Sequence, residues 1–167
     1  MKAPLLIPIL LLTAGAACAQ TSAPTRASAA TKPTAQVVHA PPETQWGPVP
    51  PALPAGAQIA VLQGNPFAAG VYTLRLKMPN GYTVPPHFHP TDEMVTVISG
   101  NLQVGMGDAI DQKAMMKLHA GGFVTAPAQM HHYVIANGET IVQVHGMGPF
   151  AITYVNPQDD PRGTAEK

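Results

Sequence analysis

The sequence predicts an all-β protein, and three observations carry that prediction. Charged residues make up only 11% of the chain while glycine and proline number 15 and 19, a balance that suits strands and turns better than long solvent-exposed helices. From Gln58 onward, short runs rich in β-branched and aromatic residues recur between turn residues at regular intervals, the rhythm of a sandwich or closed barrel. Asn80-Gly81, Ser99-Gly100-Asn101 and Asn137-Gly138 have the composition of hairpin turns, which points to antiparallel pairing.

At 167 residues the chain is long enough for one domain with a hydrophobic core and short for two. Lys2, the apolar stretch from Leu5 to Leu12 and the small residues ending Ala17-Cys18-Ala19 have the parts of a secretory signal, expected to be cleaved after Ala19. The expected location is therefore the periplasm or the exterior. Cys18 invites a lipoprotein reading, but Gly15 stands where such signals carry leucine. With residues 1–19 removed no cysteine remains, so neither a disulfide nor a thiol nucleophile is available. Residues 20–54 are rich in Ala, Thr, Ser and Pro, too poor in bulky apolar groups to offset the entropy of ordering, and read as a disordered tether. Trp46 is a large ring that such a tether does not need, and it is a candidate to pack back onto the barrel. Residues 55–160 form the expected barrel domain and 161–167 a disordered tail.

Within that domain the expected strands are Gln58 to Leu62, Val71 to Met78, Tyr82 to Phe88, Met94 to Ser99, Leu102 to Met106, Phe123 to Ala126, His132 to Ala136, Thr140 to His145 and Ala151 to Tyr154. Between Asp108 and Leu118 the residues Ile110, Ala114, Met115 and Leu118 recur at helical spacing, so a short helix or a long loop is expected there. No internal repeat is visible. Lys plus Arg and Asp plus Glu both number 9, so no basic stripe exists to neutralise phosphates and nucleic acid is not an expected partner. No apolar run is long enough for a permanent membrane span. Strand edges in so charge-poor a domain need cover, and a homodimer is expected.

His87 and His89 are two apart in an extended segment, so their side chains leave the same face of the strand. Glu93 has the same parity, and the bend implied by Pro90-Thr91-Asp92 lets all three point into one cavity. A fourth ligand must come from a distant strand, and His132, at the start of a later one, is the candidate. Two or three imidazoles with a carboxylate suit one divalent transition metal, whether iron, manganese, nickel, copper, cobalt or zinc.

These residues carry a resemblance. Gly81, five residues, His87-Phe88-His89, three residues, Glu93, six residues and Gly100 match the first motif of the cupin superfamily at every required position. The second cupin motif finds Gly121, Pro127 and His132 in place, while Gln129 replaces its turn glycine and Ala136 its asparagine, with Asn137 one place late. A left-handed turn at Gln129 would cost about 1 kcal/mol more than with glycine. Because of that departure, His131 is the alternative inward histidine. The resemblance covers roughly Gln58 to Tyr154. It is similar to a small exported bacterial single-domain cupin, and it implies a cupin-type jelly-roll β-barrel with at most one short helix and a metal near its mouth.

Asp92, of opposite parity, reads as a solvated turn carboxylate, and His39 and His119 as exposed residues of tether and loop. Arg75, Gln143 and His145 are the substrate-cavity candidates, joined by the tyrosines Tyr72, Tyr133 and Tyr154. Met78, Met94, Met106 and Met147 read as pliable core filling rather than a soft-metal site. Four protein ligands leave open positions on a metal that prefers six, which is what catalysis needs. The resemblance implies a metal-dependent oxidoreductase, a dioxygenase acting on a small oxygen-rich substrate, with Glu93 accepting the substrate proton. The alternatives are a non-catalytic ligand-binding or sensing cupin and a metal-dependent isomerase.

Overall fold

The structure, a computed structural model, describes residues 44–163. The signal reading of 1–19, the tether over 20–43, His39 and residues 164–167 lie outside the described residues. Eleven strands form: β1 (Gly47–Pro48), β2 (Gln58–Gln63), β3 (Gly70–Met78), β4 (Thr83–Phe88), β5 (Glu93–Ser99), β6 (Asn101–Met106), β7 (Met116–His119), β8 (Phe123–Ala126), β9 (His132–Ala136), β10 (Thr140–Gly148) and β11 (Thr153–Tyr154). They build two antiparallel sheets, one ordered β1-β2-β3-β10-β5-β8 and the other β11-β4-β9-β6-β7. This is a jelly-roll barrel. Among the described residues there is no α-helix, only a 3₁₀ turn at Pro157–Asp159 capped by the Asn156 side chain.

Period-two alternation decides what the barrel encloses. Leu74, Leu76 and Met78 of β3, Val142 and Val144 of β10 and Val95 of β5 face inward from one sheet, and Val84, Leu102 and Val134 meet them from the other. Cross-strand register locks these rows together, since Leu74 lies opposite Val144 and Val144 opposite Val95. Most of these side chains are buried in one contiguous core.

The three turn signatures are turns, but none closes a hairpin. Asn80-Gly81 leads from β3 to β4, Gly100 from β5 to β6 and Asn137-Gly138 from β9 to β10, each passing from one sheet to the other. The strands they join pair elsewhere: β10 between β3 and β5, and β9 between β4 and β6. A turn residue with positive φ reverses the chain, but which strands then pair depends on how both sheets bury their apolar faces. The three turns meet at one end of the barrel. There the Gly138 amide donates to Asn80 Oδ1 at 2.7 Å, the Asn137 amide donates to the Asn101 carbonyl at 2.9 Å, and the buried Thr140 hydroxyl donates to that same carbonyl at 2.9 Å.

The helical spacing after Asp108 does not produce a helix. The chain loops from Gly107 to Met115 and then forms β7, which pairs with the free edge of β6 from Asn101↔His119 to Val104↔Met116. Ile110, part of the expected apolar stripe, is exposed, while Met115 is buried. The Tyr133 hydroxyl accepts the Asp111 amide at 2.9 Å and pins the loop. A sheet edge with a ladder of unpaired amides outcompetes a helix with so little to bury.

The domain also starts earlier than the composition suggests. Leu53 is buried, the Tyr82 hydroxyl donates to the Pro54 carbonyl at 2.6 Å and the Tyr154 hydroxyl to the Ala52 carbonyl at 2.9 Å. Residues 44–54 are thus part of the barrel rather than tether. Trp46 lies under the Lys77 ammonium, 5.0 Å from the ring centroid. At the other end Arg162 donates to the Ile152 carbonyl at 3.2 Å, so the ordered chain extends past residue 160.

Candidate metal centre

Three separate stretches converge at the end of the barrel opposite the three turns. β4 delivers His87 at its far end and His89 just beyond it, β5 opens with Glu93, and β9 opens with His132 directly opposite His87. The ligand atoms of His87, His89 and His132 all lie within 4.8 Å of one another. The Glu93 carboxylate oxygen lies 3.6 Å from His89 Nε2 and 3.5 Å from His132 Nε2.

Backbone carbonyls orient every imidazole. His87 Nδ1–H donates to Pro85 at 2.6 Å, His89 Nδ1–H to Ala151 at 2.7 Å and His132 Nδ1–H to Met130 at 2.9 Å. A carbonyl only accepts, so each Nδ1 keeps its proton and each Nε2 is turned to the common space, where a metal would take its lone pair. His89 Nε2 and His132 Nε2 are buried without a hydrogen-bond partner. Leaving a buried polar atom unsatisfied costs roughly 1–3 kcal/mol, and a divalent ion coordinated by these nitrogens would remove that cost. The donor set therefore fits a metal.

Electrostatics agree with the geometry. Burial, followed by the neighbouring His132 and His89, pushes His87 down to about 3, so it stays neutral as a ligand must. Burial pulls Glu93 upward, but pairing with His132 and the charges of the other imidazoles outweigh it and hold the carboxyl at about 2. Burial likewise works against a charged His132, yet the Glu93 carboxylate raises its pKa above the ordinary value.

Of the adjacent histidines, His132 faces inward. His131 points outward, 2.6 Å from Asp108 Oδ1 and stacked on Phe88 with centroids 5.0 Å apart. Gln129 adopts the left-handed conformation that the motif's glycine would, with φ of 65°. Asp92 is exposed and accepts the Ala128 amide at 2.8 Å. His119 is exposed but stands in β7 rather than in a loop, 2.6 Å from Asn101 Oδ1. Met78 is buried in the core, while Met106 and Met147 are among the exposed hydrophobic residues.

Arg75, Gln143 and His145 do not line the cavity. They alternate with the inward Leu74, Leu76, Val142 and Val144 and so occupy the outer face of the six-stranded sheet. There the Arg75 Nε–H donates to Gln143 Oε1 at 3.1 Å, Gln143 Nε2 lies 3.1 Å from His145 Nε2, and His145 Nδ1 lies 3.1 Å from the Thr73 hydroxyl. The apolar residues, not the polar ones, face the interior, because the barrel is filled by its own core. Sequence reasoning missed the Ala151 carbonyl that holds His89, for which no side chain gives a signal, and Phe150, whose ring lies 5.3 Å from that of His89.

The ligand side chains share a cavity of about 60 Å³ with Leu74, Leu76, Val144, Phe150 and Ile152. His87, His89, His132 and Glu93 are its polar members; no lysine or arginine lines it.

A two-sheet barrel that turns three imidazoles and a carboxylate into the end of an apolar cavity defines a small-barrel protein built to hold a metal ion. A family model described as the cupin domain matches residues 74–147, and this part of the chain is a cupin domain. Among solved structures it is similar to a putative acetylacetone dioxygenase from Methylibium petroleiphilum PM1, with 18% identity over 79% of this chain and 90% of that one and a TM-score of 0.58. It is also similar to an RmlC-like cupin from Shewanella frigidimarina NCIMB 400, with 14% identity over 68% and 91% and a TM-score of 0.53. KdgF from Halomonas sp. shares 19% identity over 69% and 96%, with a TM-score of 0.52. At these identities the likeness shows the fold. No match was found among curated proteins.

Proposed function

We propose that the protein is an exported metal-dependent dioxygenase acting on a small oxygen-rich organic molecule. The observation that carries this reading is the pair of buried, unpartnered Nε2 atoms of His89 and His132 beside the Glu93 carboxylate, at the wall of an apolar cavity rather than sealed in the core. His87, His89, His132 and Glu93 would hold one divalent transition metal, which when bound supplies redox and Lewis-acid chemistry. The protein's own contribution is to present neutral imidazoles in a fixed tautomer, to exclude water with apolar walls, and to offer Glu93 as the acceptor of a substrate proton. Dioxygen is the oxidant, both its atoms enter the product, and no external reductant is consumed.

The test is oxygen uptake by metal-reconstituted protein offered flavonols, catechols and β-diketones. Uptake with one class supports the reading, and binding without uptake overturns it in favour of a non-catalytic binding or sensing role. One observation favours that second reading: Glu93 is the one carboxylate lining the cavity, and the remaining ionisable residues there are the three histidines. The same scarcity weighs against an isomerase, which needs acid and base on both sides of its substrate and would turn over without oxygen.

Export rests on Lys2, the apolar run Leu5 to Leu12 and Ala17 to Ala19, and an intact mass beginning at Gln20 would support it. A homodimer rests on the outer face of the six-stranded sheet, where exposed Val71 and Met147 lie opposite each other. Light scattering tests it, and a clean monomer would overturn it.

A further inference from the structure

Residues 64–69 join β2 to β3 at the metal end of the barrel. The Phe150 amide donates to the Pro66 carbonyl of this loop, and the Phe150 ring lies 5.3 Å from that of His89. Asn65 shapes the loop from within: its Oδ1 accepts the Phe67 amide at 2.9 Å and its carbonyl accepts the Ala68 amide at 3.1 Å. Two glycines let it sit close to the sheet. A Cβ on Gly64 would run into the Val71 carbonyl, and one on Gly148 into the Ala68 carbonyl. The loop is therefore clamped between the start of β3 and the end of β10, and the side chain it displays is held in place.

That side chain is Phe67. Its residue is 63% exposed, yet it lines the cavity together with Pro66, His89 and Glu93, so the ring stands at the mouth. Size decides what meets it there. An apolar cavity of about 150 Å³ takes benzene, whereas this one has about 60 Å³. It has room for the few polar atoms of a ligand but not for a ring or a longer carbon chain, so the body of a larger ligand must lie in the mouth.

We infer that Phe67 is a specificity-determining residue, whose ring covers the apolar body of a ligand that seats its oxygen atoms among His87, His89, His132 and Glu93. Covering a phenyl ring that otherwise faces water is favourable, and the gain grows with the apolar area removed from water. The remaining walls are aliphatic and aromatic and carry no lysine or arginine. The ligand class is a small molecule with oxygen atoms at one end and a flat or aliphatic body at the other. A dicarboxylate or a sugar, polar at both ends, would gain nothing from the ring.

This rests on the metal reading of the site, and the experiment separates the two. The protein, with Co²⁺ and without it, is titrated by calorimetry with acetylacetone and with benzoylacetone, which carries a phenyl ring in place of one methyl group. Wild type should prefer benzoylacetone. In Phe67→Ala that ligand should bind about tenfold more weakly, equivalent to uncovering roughly 55 Å² of apolar surface, while acetylacetone affinity and Co²⁺ content stay within about twofold of wild type. Phe67→Trp, which restores a ring, should restore the preference. Equal losses for both diketones, no loss for either, or no binding of either by wild type overturns the inference. If Co²⁺ changes neither affinity, the metal reading falls, and the comparison of Phe67 variants still reads in the metal-free protein.

Discussion

The carbonyl of His89 accepts the backbone amide of Gln129 at 2.9 Å and lies 3.4 Å from its side-chain amide. This contact ties the end of the first histidine pair to the turn that delivers His132. It also shows how a non-glycine residue occupies a φ of 65°: the left-handed turn aims the Gln129 amide at His89, and the side chain adds a second, long contact. The bond that matters for the site is made by the backbone, which any residue supplies.

Gln129→Gly should accordingly leave metal content unchanged and stabilise the protein by about 0.5–1 kcal/mol, since relief of the left-handed conformation outweighs a long, weak side-chain hydrogen bond. Gln129→Val, β-branched at the same φ, should destabilise by more than about 1 kcal/mol. Urea unfolding of the two variants against wild type checks both signs.

His87→Ala, His89→Ala and His132→Ala should each lower metal affinity by at least about 100-fold and remove most of the stabilisation that metal confers, which is about 2.7 kcal/mol at a concentration 100 times the wild-type Kd. His131→Ala and His119→Ala should retain full metal, because those rings are engaged with Asp108 and Asn101 outside the cluster. Elemental analysis with melting curves decides the matter. Metal lost from His131→Ala would contradict the inward assignment of His132.

The His132–Glu93 pair gives the metal-free protein a pH signature. His132 has a raised pKa in the fold, so its contribution is fully present below the unfolded value near 6.5 and fades as pH rises through the folded value. Glu93, held at about 2 against an ordinary 4.5, keeps the pair charged well into acid. The melting-temperature gap between metal-free wild type and Glu93→Gln should therefore be widest below about pH 6.5 and narrow as pH rises through the raised His132 value. A gap independent of pH would count against the pair. His87, pushed down to about 3, acts in the opposite sense: the stability it contributes above pH 6.5 is lost as pH falls toward about 3. Metal binding needs the His132 lone pair, so it should release a proton near that residue's pKa, measurable by calorimetry in two buffers.

Two turn glycines separate conformational strain from steric clash. Gly100 has a φ of +78°, and a Cβ there would run into the Glu139 carbonyl and come within 2.8 Å of Thr140 Cα. Gly138 has a φ of +81° with open space around it. Gly138→Ala should cost about 1 kcal/mol, the price of a left-handed L-residue, and Gly100→Ala at least about 3 kcal/mol, because backbone must shift. Equal losses in thermal unfolding would show that the corner at Gly100 yields more easily than its packing suggests.

The sequence by itself determined the local features of this protein. Alternating apolar residues marked most of the strands to within a residue or two, glycine and asparagine pairs marked the chain reversals, and the spacing of His87, His89, Glu93 and His132 marked four side chains that converge in the fold, because same-face geometry on an extended strand is a local property. Tertiary structure decided everything that depends on what lies across a gap. Whether the strands flanking Asn80-Gly81 pair or part, whether 108–118 coils or joins an edge, and whether Arg75, Gln143 and His145 face in or out are settled by which surfaces the two sheets bury against each other. The same holds for Phe67. Its side chain is ordinary in the sequence, and only the fold brings its loop to the cavity that His89 and Glu93 also line, since neighbours across a gap are chosen by the packing of the whole barrel rather than by the residues on either side.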